Sequence, residues 1–201
     1  YFITIGGNGK RIQTAPLISN PGQSVTHFNE RIFHELDTIN LLSGGKEWYG
    51  EEFANAPGKT LTRSFPVSLP NYQPGAAITI RTNCISRSVG SPSRFDLRLG
   101  NQPLAQLQLN PVTGGQYDAY VQAGTVTANT VNNAAAPVLT YSFTPGSFNA
   151  QGWLNWFELF TRRAISMNGI NQLFFRDWSS VNNTTAGFIV SQATSNTLVW
   201  D

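Results

Sequence analysis

Charge is what this chain has least of. Across 201 residues there are 13 Lys and Arg and 11 Asp and Glu, a charged share of 12%, about half of what an ordinary globular domain carries. The net charge of +2 comes from scattered side chains. The closest basic groupings are Lys10-Arg11 and Arg162-Arg163. Neither is a stripe able to neutralise successive phosphates, which argues against nucleic acid as a partner. A single cysteine, Cys84, excludes an internal disulfide framework and a Cys-based structural zinc site. No apolar run approaches the 18 or so residues that a membrane-crossing helix needs, and GWLNWFELF is short and interrupted by Asn and Glu. No internal repeat is visible, which argues against a solenoid or propeller. The chain starts at Tyr1 without a basic and apolar leader pattern and ends in LVWD directly after an extended run. The first feature predicts a processed chain or a piece excised from a longer protein, and the second favours excision.

What is present is period-2 patterning. ITIRT puts Ile78 and Ile80 on one face, FDLRL puts Phe95, Leu97 and Leu99 on one face, and LAQLQL does the same with Ala105, Leu107 and Leu109. GNQP between the last two is short enough for a hairpin. RSFPVSL, QYDAYVQAGTV, PVLTYSF, GFIVS, NTLVW and the opening YFITI complete the predicted strands. Pro66 removes a ladder donor, so RSFPVSL reads as an edge or bulged strand. GWLNWFELFTRRAISMNG fits a helical stripe or a long bulged strand, and its aromatic content favours the strand. About ten strands with no long alternating helices predict an all-β fold, an antiparallel β-sandwich of jelly-roll kind with long loops, over residues 1–201 as a single domain.

Candidate chemistry is sparse. The bases available to a nucleophile are His27 and His34, and the alternation around Cys84 predicts a buried or half-buried thiol in place of a nucleophile. His34, Glu35 and Asp37 point to different faces of an extended strand and do not form a metal corner. Calcium on Asp37, Glu51, Glu52 and loop carbonyls remains open by residue type alone, although no motif calls for a metal or a cofactor. Glu35, Glu47, Glu51, Glu52 and Glu158 are the carboxylates from which a glycosidase pair would have to come. Trp48, Tyr49, Tyr117 and Tyr120 are the rings on which a sugar would stack. GGNGK and SGGK fail the phosphate-loop pattern at Gln13 and Glu47 and read as turns.

The segment FHELDTINLLSGGKEWYGEEF gathers His34, Glu35, Asp37, Lys46, Glu47, Glu51 and Glu52 around Trp48 and Tyr49 and a Gly44-Gly45 turn. A charge cluster is ordinarily a solvated face. The alternative is a docking surface, with the two rings as anchors and the charges fixing register.

HELDTINLLSGGKEWYGEEF resembles a block of the PorU-type sortases of the Bacteroidetes type IX secretion system, proteins with a gingipain-like cysteine peptidase domain. The family form is HE-D-NLL-SGREWFGE-F, and Lys46 and Tyr49 stand here for the usual Arg and Phe. GWLNWFELFTRRAISMNGINQLFFR resembles the family's GWLDYI-LN-RR-L run with the G-QL-FR that follows. AGFIVSQATSNTLVWD is similar to the F-I---V-IWD that leads into the peptidase domain. The resemblance implies a non-catalytic accessory region that precedes this C-terminal domain, in the periplasm or on the outer-membrane surface. No residue matches the family's catalytic Cys or His. Its implied partners are the peptidase domain of the same chain, other attachment-complex proteins, or cargo. The interface candidates are Lys46, Glu47, Trp48, Tyr49, Gly50 and Glu51, followed by Arg162, Arg163 and Arg176, although these arginines also suit simple pairing with Glu158 or Asp177. Asp37-Thr38-Ile39 resembles the Bacteroidetes O-glycosylation sequon, with Thr38 as acceptor. The reading from another class is a carbohydrate-binding β-sandwich of a secreted or surface protein.

Overall fold

The computed structural model describes residues 6, 13–16, 19–131 and 134–200. The expected YFITI strand, the Lys10-Arg11 pair, the GGNGK turn apart from Gly6, and Asp201 lie outside them. Eleven strands are present among the described residues: β1 (Gln23–Val25), β2 (His27–Glu35), β3 (Glu52–Ala54), β4 (Thr62–Pro66), β5 (Ala77–Arg87), β6 (Ser93–Leu99), β7 (Gln102–Leu109), β8 (Gln122–Val131), β9 (Val138–Thr144), β10 (Gln151–Ala164) and β11 (Ala186–Phe188). The one helical element there is a 3-10 turn at Trp178–Asn182, and no helix is long and apolar enough to cross a membrane.

One sheet has the order β2-β10-β5-β8, with β3 also paired to β10, and the other has the order β4-β9-β6-β7. All these pairings are antiparallel. β1 and β11 form a separate parallel pair. Setting β3 aside, the eight remaining strands of the two large sheets cross between layers in the succession of two Greek keys, which is the jelly roll. The predicted all-β sandwich is the observed fold.

The alternating side chains build the core. Ile78, Ile80 and Cys84 of β5, Phe95, Leu97 and Leu99 of β6, Leu139, Tyr141 and Phe143 of β9, and Leu154, Phe157 and Leu159 of β10 are all buried in one cluster. Each such side chain contributes roughly 1.5–3 kcal/mol on full burial. The β6–β7 hairpin turns at Gly100 with φ 56°, a backbone angle that glycine adopts without strain. β4 is an edge strand and ends at Pro66, where no ladder donor is missed.

The GWLNWFELFTRRA segment is a 14-residue strand, not a helix. Its register against β5 shifts between Leu154 and Trp156, which makes Asn155 the extra residue of a bulge. The bulge changes the parity of the faces: Leu154 points into the core, and beyond it so do Phe157 and Leu159, while Trp153 points to the opposite face of the sheet. The expected strand NTLVW is not formed; its residues are irregular, with Leu198 and Trp200 largely exposed. GFIVS is strand only at its start, QYDAYVQAGTV only from Gln122, and Thr38 follows β2 in a loop.

Gly152 occupies the inner face of β10 directly below the second sheet. A Cβ there would lie 2.6 Å from Phe95 Cζ and 2.9 Å from Phe143 Cδ2, and those rings pack on each other at 4.8 Å between centroids. The missing side chain therefore makes the room for the Phe95–Phe143 pair. Gly152→Ala is expected to lower stability by about 1–3 kcal/mol, the usual cost of overpacking, read as a reduced urea midpoint with an unchanged m-value.

Candidate functional site

β2 and β3 both pair with the same edge of β10, and the segment from Leu36 to Gly50 is the excursion between them. Its root is narrow. Gly50 N–H donates to Leu154 O at 3.0 Å, and Leu154 N–H donates to Glu51 O at 3.0 Å. A Cβ on Gly50 would stand 2.7 Å from Leu36 O, so glycine lets the two ends of the excursion pass each other at the bulge. The excursion folds over the outer face of the sheet. An isolated antiparallel bridge joins Ile39 and Tyr49, and Tyr49 is buried with Ile85 and Trp153 under Ile39, Leu41 and Val121.

In extended backbone neighbouring side chains point to opposite sides. Tyr49 therefore faces inward while Trp48 faces solvent with 45% exposure. The Tyr49 hydroxyl donates to Glu47 Oε2 at 2.8 Å. Burial, then this hydrogen bond and the Glu47 charge, push the Tyr49 pKa up to about 12. The tip of the excursion turns at Ser43, whose φ is 52°. The side chain of Asn40 bonds Gly44 through both its groups: Gly44 N–H donates to Asn40 Oδ1 at 3.1 Å, and Asn40 Nδ2 donates to Gly44 O. The Gly-Gly turn is thus present, with its left-handed residue at Ser43, not at either glycine.

Below the root, His34 lies between rings, stacked on Phe157 with centroids 4.9 Å apart and tilted against Phe65 at 5.0 Å. Its Nε2 is 2.8 Å from Glu51 Oε1. Glu51 Oε2 and the Trp153 indole N–H are buried without a partner among the described residues.

The interface candidates separate by exposure. Lys46, Glu47 and Trp48 lie on the surface, as does Arg176, whose guanidinium sits 5.3 Å from the Trp178 ring. Tyr49 and Gly50 are interior supports, which revises their expected place on a contact face, and Glu51 is committed to His34. Arg163, at 7% exposure, is also removed from any surface role. It points inward from β10, pairs with Glu30 of β2, donates to Pro70 O at 2.6 Å and lies over Phe28. Arg162 faces the other way and donates to Asp177 Oδ1 and His27 O, both at 2.9 Å, so it pairs as the simpler reading expected. Glu158 takes Arg31 as its partner. Glu52 holds Lys59 and Gln151. Burial alone raises its pKa, yet the bonds from Lys59 and Gln151 and the nearby charges of Lys59 and Arg63 bring it below the usual value. Thr38 is exposed at the base of the excursion, its N–H donating to Tyr49 O.

No group of three or more metal-ligating side chains occurs among the described residues. Cys84 is fully buried, its contact being Thr82 Oγ1 at 4.0 Å, and Tyr141 donates to that same hydroxyl at 3.0 Å. Burial pushes the thiol pKa up to about 12, so it holds its proton at neutral pH and is no nucleophile in the folded chain.

Sequence reasoning missed a cavity of about 340 Å³ beside the excursion, lined by Asn40, Leu41, Leu42, Tyr49, Tyr120 and Val121 with Gly44, Lys46 and Glu47. Tyr120 was named only among the rings on which a sugar would stack. The apolar pair Leu41-Leu42 immediately before a turn was the signal available.

The fold and this loop define a jelly-roll β-sandwich with a strapped outer face. No protein-family model and no curated protein matches the sequence. Among solved structures the chain is similar to dimeric latent PorU from Porphyromonas gingivalis, with 16% identity and a TM-score of 0.70 over 88% of this chain. It spans only 16% of that protein's length, and at this identity the likeness shows a shared fold. Looser superpositions reach the CBM36-1 domain of a xylanase from the hindgut metagenome of Trinervitermes trinervoides (10% identity, TM-score 0.38, 65% of this chain and 95% of that one). A CBM36 module in complex with calcium and xylotriose also superposes (14% identity, TM-score 0.35, 65% and 98%). Neither is close enough to bear on sugar or calcium binding here.

Two outcomes follow from the ionisable groups. Burial raises the pKa of Asp177, but hydrogen bonds from Ser179, Arg162 and Ser180 and the Arg162 charge outweigh it and hold the carboxyl below its ordinary value. A depressed folded pKa stabilises above the unfolded value of about 3.9, and that contribution is lost as pH falls through the folded value. The stability advantage of the wild type over Asp177→Asn should therefore be constant near neutrality and shrink below about pH 4, as read from thermal unfolding across pH. Separately, Cys84 should resist iodoacetamide at pH 8 in the folded chain and react readily in urea, its labelling following the unfolding curve.

Proposed function

We propose that this chain is a non-catalytic accessory domain of a PorU-type sortase, one domain of a longer cysteine endopeptidase of the type IX secretion system. The observation that carries the reading is the superposition of 88% of the chain on a sixth of PorU at a TM-score of 0.70. The sequence blocks around Trp48, Trp153 and Phe188 support it independently. On this reading the domain acts at the periplasmic or outer-membrane surface of a Bacteroidetes bacterium. It packs beside the gingipain-like peptidase domain and helps to organise cargo or attachment-complex partners. Bond cleavage belongs to the peptidase domain, consistent with the protonated, enclosed thiol of Cys84.

The contact is made by the exposed part of the excursion. Trp48 is the anchor, Lys46 and Glu47 set register, and Arg176 forms a second, smaller contact. Thr38, exposed in the adjoining loop, is the acceptor of an O-linked glycan.

A photo-crosslinker placed at position 48 of the full-length protein should join this loop to the peptidase domain or to an attachment-complex protein. With the photo-crosslinker moved to the neighbouring exposed position 45, Trp48→Ala should reduce the product formed from that site severalfold and leave the thermal unfolding of the 201-residue chain unchanged, because the ring is half exposed. Peptidase activity in the isolated chain, or efficient solvent-only quenching of the crosslinker in the assembled protein, would remove the proposal.

A further inference from the structure

A second concave space, of about 620 Å³, lies on the outer face of the β4-β9-β6-β7 sheet. It is across the sandwich from the excursion, and nothing about it rests on the sortase reading. Its floor is β6. Phe95, Leu97 and Leu99 take the inner parity of that strand, so Arg94, Asp96 and Arg98 stand on the outer one. Gln106 of β7 and Ser142 of β9 are the cross-strand partners of Asp96. Four residues of strand rise set the two arginines roughly 13 Å apart at the backbone. The wall on the β7 side is Pro103 and Leu104, where the register against β6 shifts, and such a bulge bends the strand that carries it. The volume is that of a small-ligand site. No aromatic ring is among its lining residues, so it is not a stacking platform.

The charges of the lining do not cancel. Asp96 is its one carboxylate, and both oxygens are engaged: Oδ2 accepts from Arg94 Nε at 3.0 Å and Oδ1 from Gln106 Nε2 at 2.7 Å. Arg98, also in the lining, donates to a neutral acceptor, Asn101 O. No carboxylate lies within ion-pair distance of Arg98 among the described residues. Two lining cations against one carboxylate leave a single positive charge, and it sits at the Arg98 end. A guanidinium keeps that charge at any working pH and presents paired donors that match a carboxylate.

We propose that this face binds a glycan through an acidic sugar, a hexuronate whose carboxylate pairs with Arg98. The ring hydroxyls exchange hydrogen bonds with Gln106, Ser142 and the Arg94–Asp96 pair, and the C–H groups rest on Pro103 and Leu104. A sugar suits this lining because each hydroxyl both donates and accepts, and guanidinium and amide donors here alternate closely with carboxylate and hydroxyl acceptors. An apolar side chain seated in the same space would strip those groups of water and return no hydrogen bond. The single uncancelled charge selects a carboxylate over a phosphate monoester, which carries close to two charges; the second would face Asp96 unmatched. The arginine thus chooses among sugars, and the hydrogen bonds hold the ring.

The test is a nuclear magnetic resonance titration of the isotopically labelled 201-residue chain with methyl glucuronide, methyl glucoside, glucose 6-phosphate and acetate as probes. Methyl glucuronide should shift amide resonances confined to residues 94–98, 103–106 and 142. It should bind more tightly than the neutral methyl glucoside by about two- to fivefold, the worth of an exposed ion pair. Acetate should produce no saturating shift, and glucose 6-phosphate should bind no more tightly than the uronide. Arg98→Gln should erase the preference for the uronide and keep binding of the neutral sugar, and Gln106→Ala, at an exposed position of β7, should weaken both. Absence of localised shifts, equal binding of uronide and glucoside, the same shifts with acetate alone, or tighter binding of glucose 6-phosphate would each overturn the proposal. Trp48→Ala should leave the titration unchanged, so its outcome is separate from that of the crosslink at position 48.

Discussion

The bulge in β10 is the feature on which the remaining arrangement depends. A regular strand keeps each parity on one face for its whole length. By inserting Asn155, β10 sends Trp153 outward and Leu154 inward and then continues inward with Phe157, Leu159 and Thr161. The same strand thereby serves the sandwich core along most of its length and an external cluster at its start. A bulge also frees backbone groups that must be paired again. Here Leu154 exchanges bonds with Gly50 and Glu51, and Trp156 O accepts the Thr82 hydroxyl at 2.8 Å. That hydroxyl in turn takes the bond from Tyr141 of the facing sheet, so a single buried threonine satisfies both a strand irregularity and a core tyrosine. Asn155 itself is held by donating to Asn83 Oδ1 at 3.0 Å.

The external cluster explains why the outer faces of the two sheets differ. The β4-β9-β6-β7 sheet presents Thr62 to Ser142, Ser64 to Thr140, and Arg94 and Gln106 to Asp96. These polar pairs are satisfied among themselves, and water suits them. The other sheet turns Trp153 and Ile85 outward, and these cannot be left bare. The excursion from Leu36 to Gly50 covers them. Its inner side is spent on Tyr49, Ile39 and Leu41, which leaves Trp48, Leu42 and Lys46 displayed on a support pinned at both ends. A display surface built in this way has little freedom to collapse, which is the requirement for presenting an exposed ring to another molecule.

The degree to which this was legible in the sequence follows from how purely each strand alternates. FDLRL and PVLTYSF contain no contradictory residue on their inner faces, and their strands and facing are as the pattern reads; LAQLQL is the expected strand with Leu107 and Leu109 inside, but a register shift makes Leu104 an extra residue that also packs on the core. Cys84 was placed correctly inside by the same rule. β2 was recognised only at its end, because HFNERIFHE carries Glu30 and His34 on the parity of Phe28 and Ile32. Inward carboxylate and imidazole look like solvent residues until their partners, Arg163 and Glu51, are known. Those partners are 133 and 17 positions away, and no local pattern links them. Arg163 was misjudged for the complementary reason: its charge suggested a surface, whereas the parity of Phe157, Leu159 and Thr161 carried it inside. NTLVW shows the opposite failure, β-prone composition without a strand to pair with among the described residues.

The buried ion pair of Arg163 and Glu30 also bears on why this sandwich needs specific rather than generic packing. An isolated charge in such a position would be strongly unfavourable, and pairing offsets the desolvation only with full hydrogen bonding. Arg163 has Glu30 and Pro70 O as acceptors, and its guanidinium also lies over the Phe28 ring. A one-residue slip of β2 along β10 would carry Glu30 to the opposite face, away from Arg163, so the pair favours the observed register of β2 against β10. That register fixes where β2 stops, at Glu35 opposite Trp156, immediately before the bulge. The excursion must therefore leave the sheet at Leu36 and return at Gly50. The position of the exposed loop is in this sense decided by an ion pair at the far end of the same two strands.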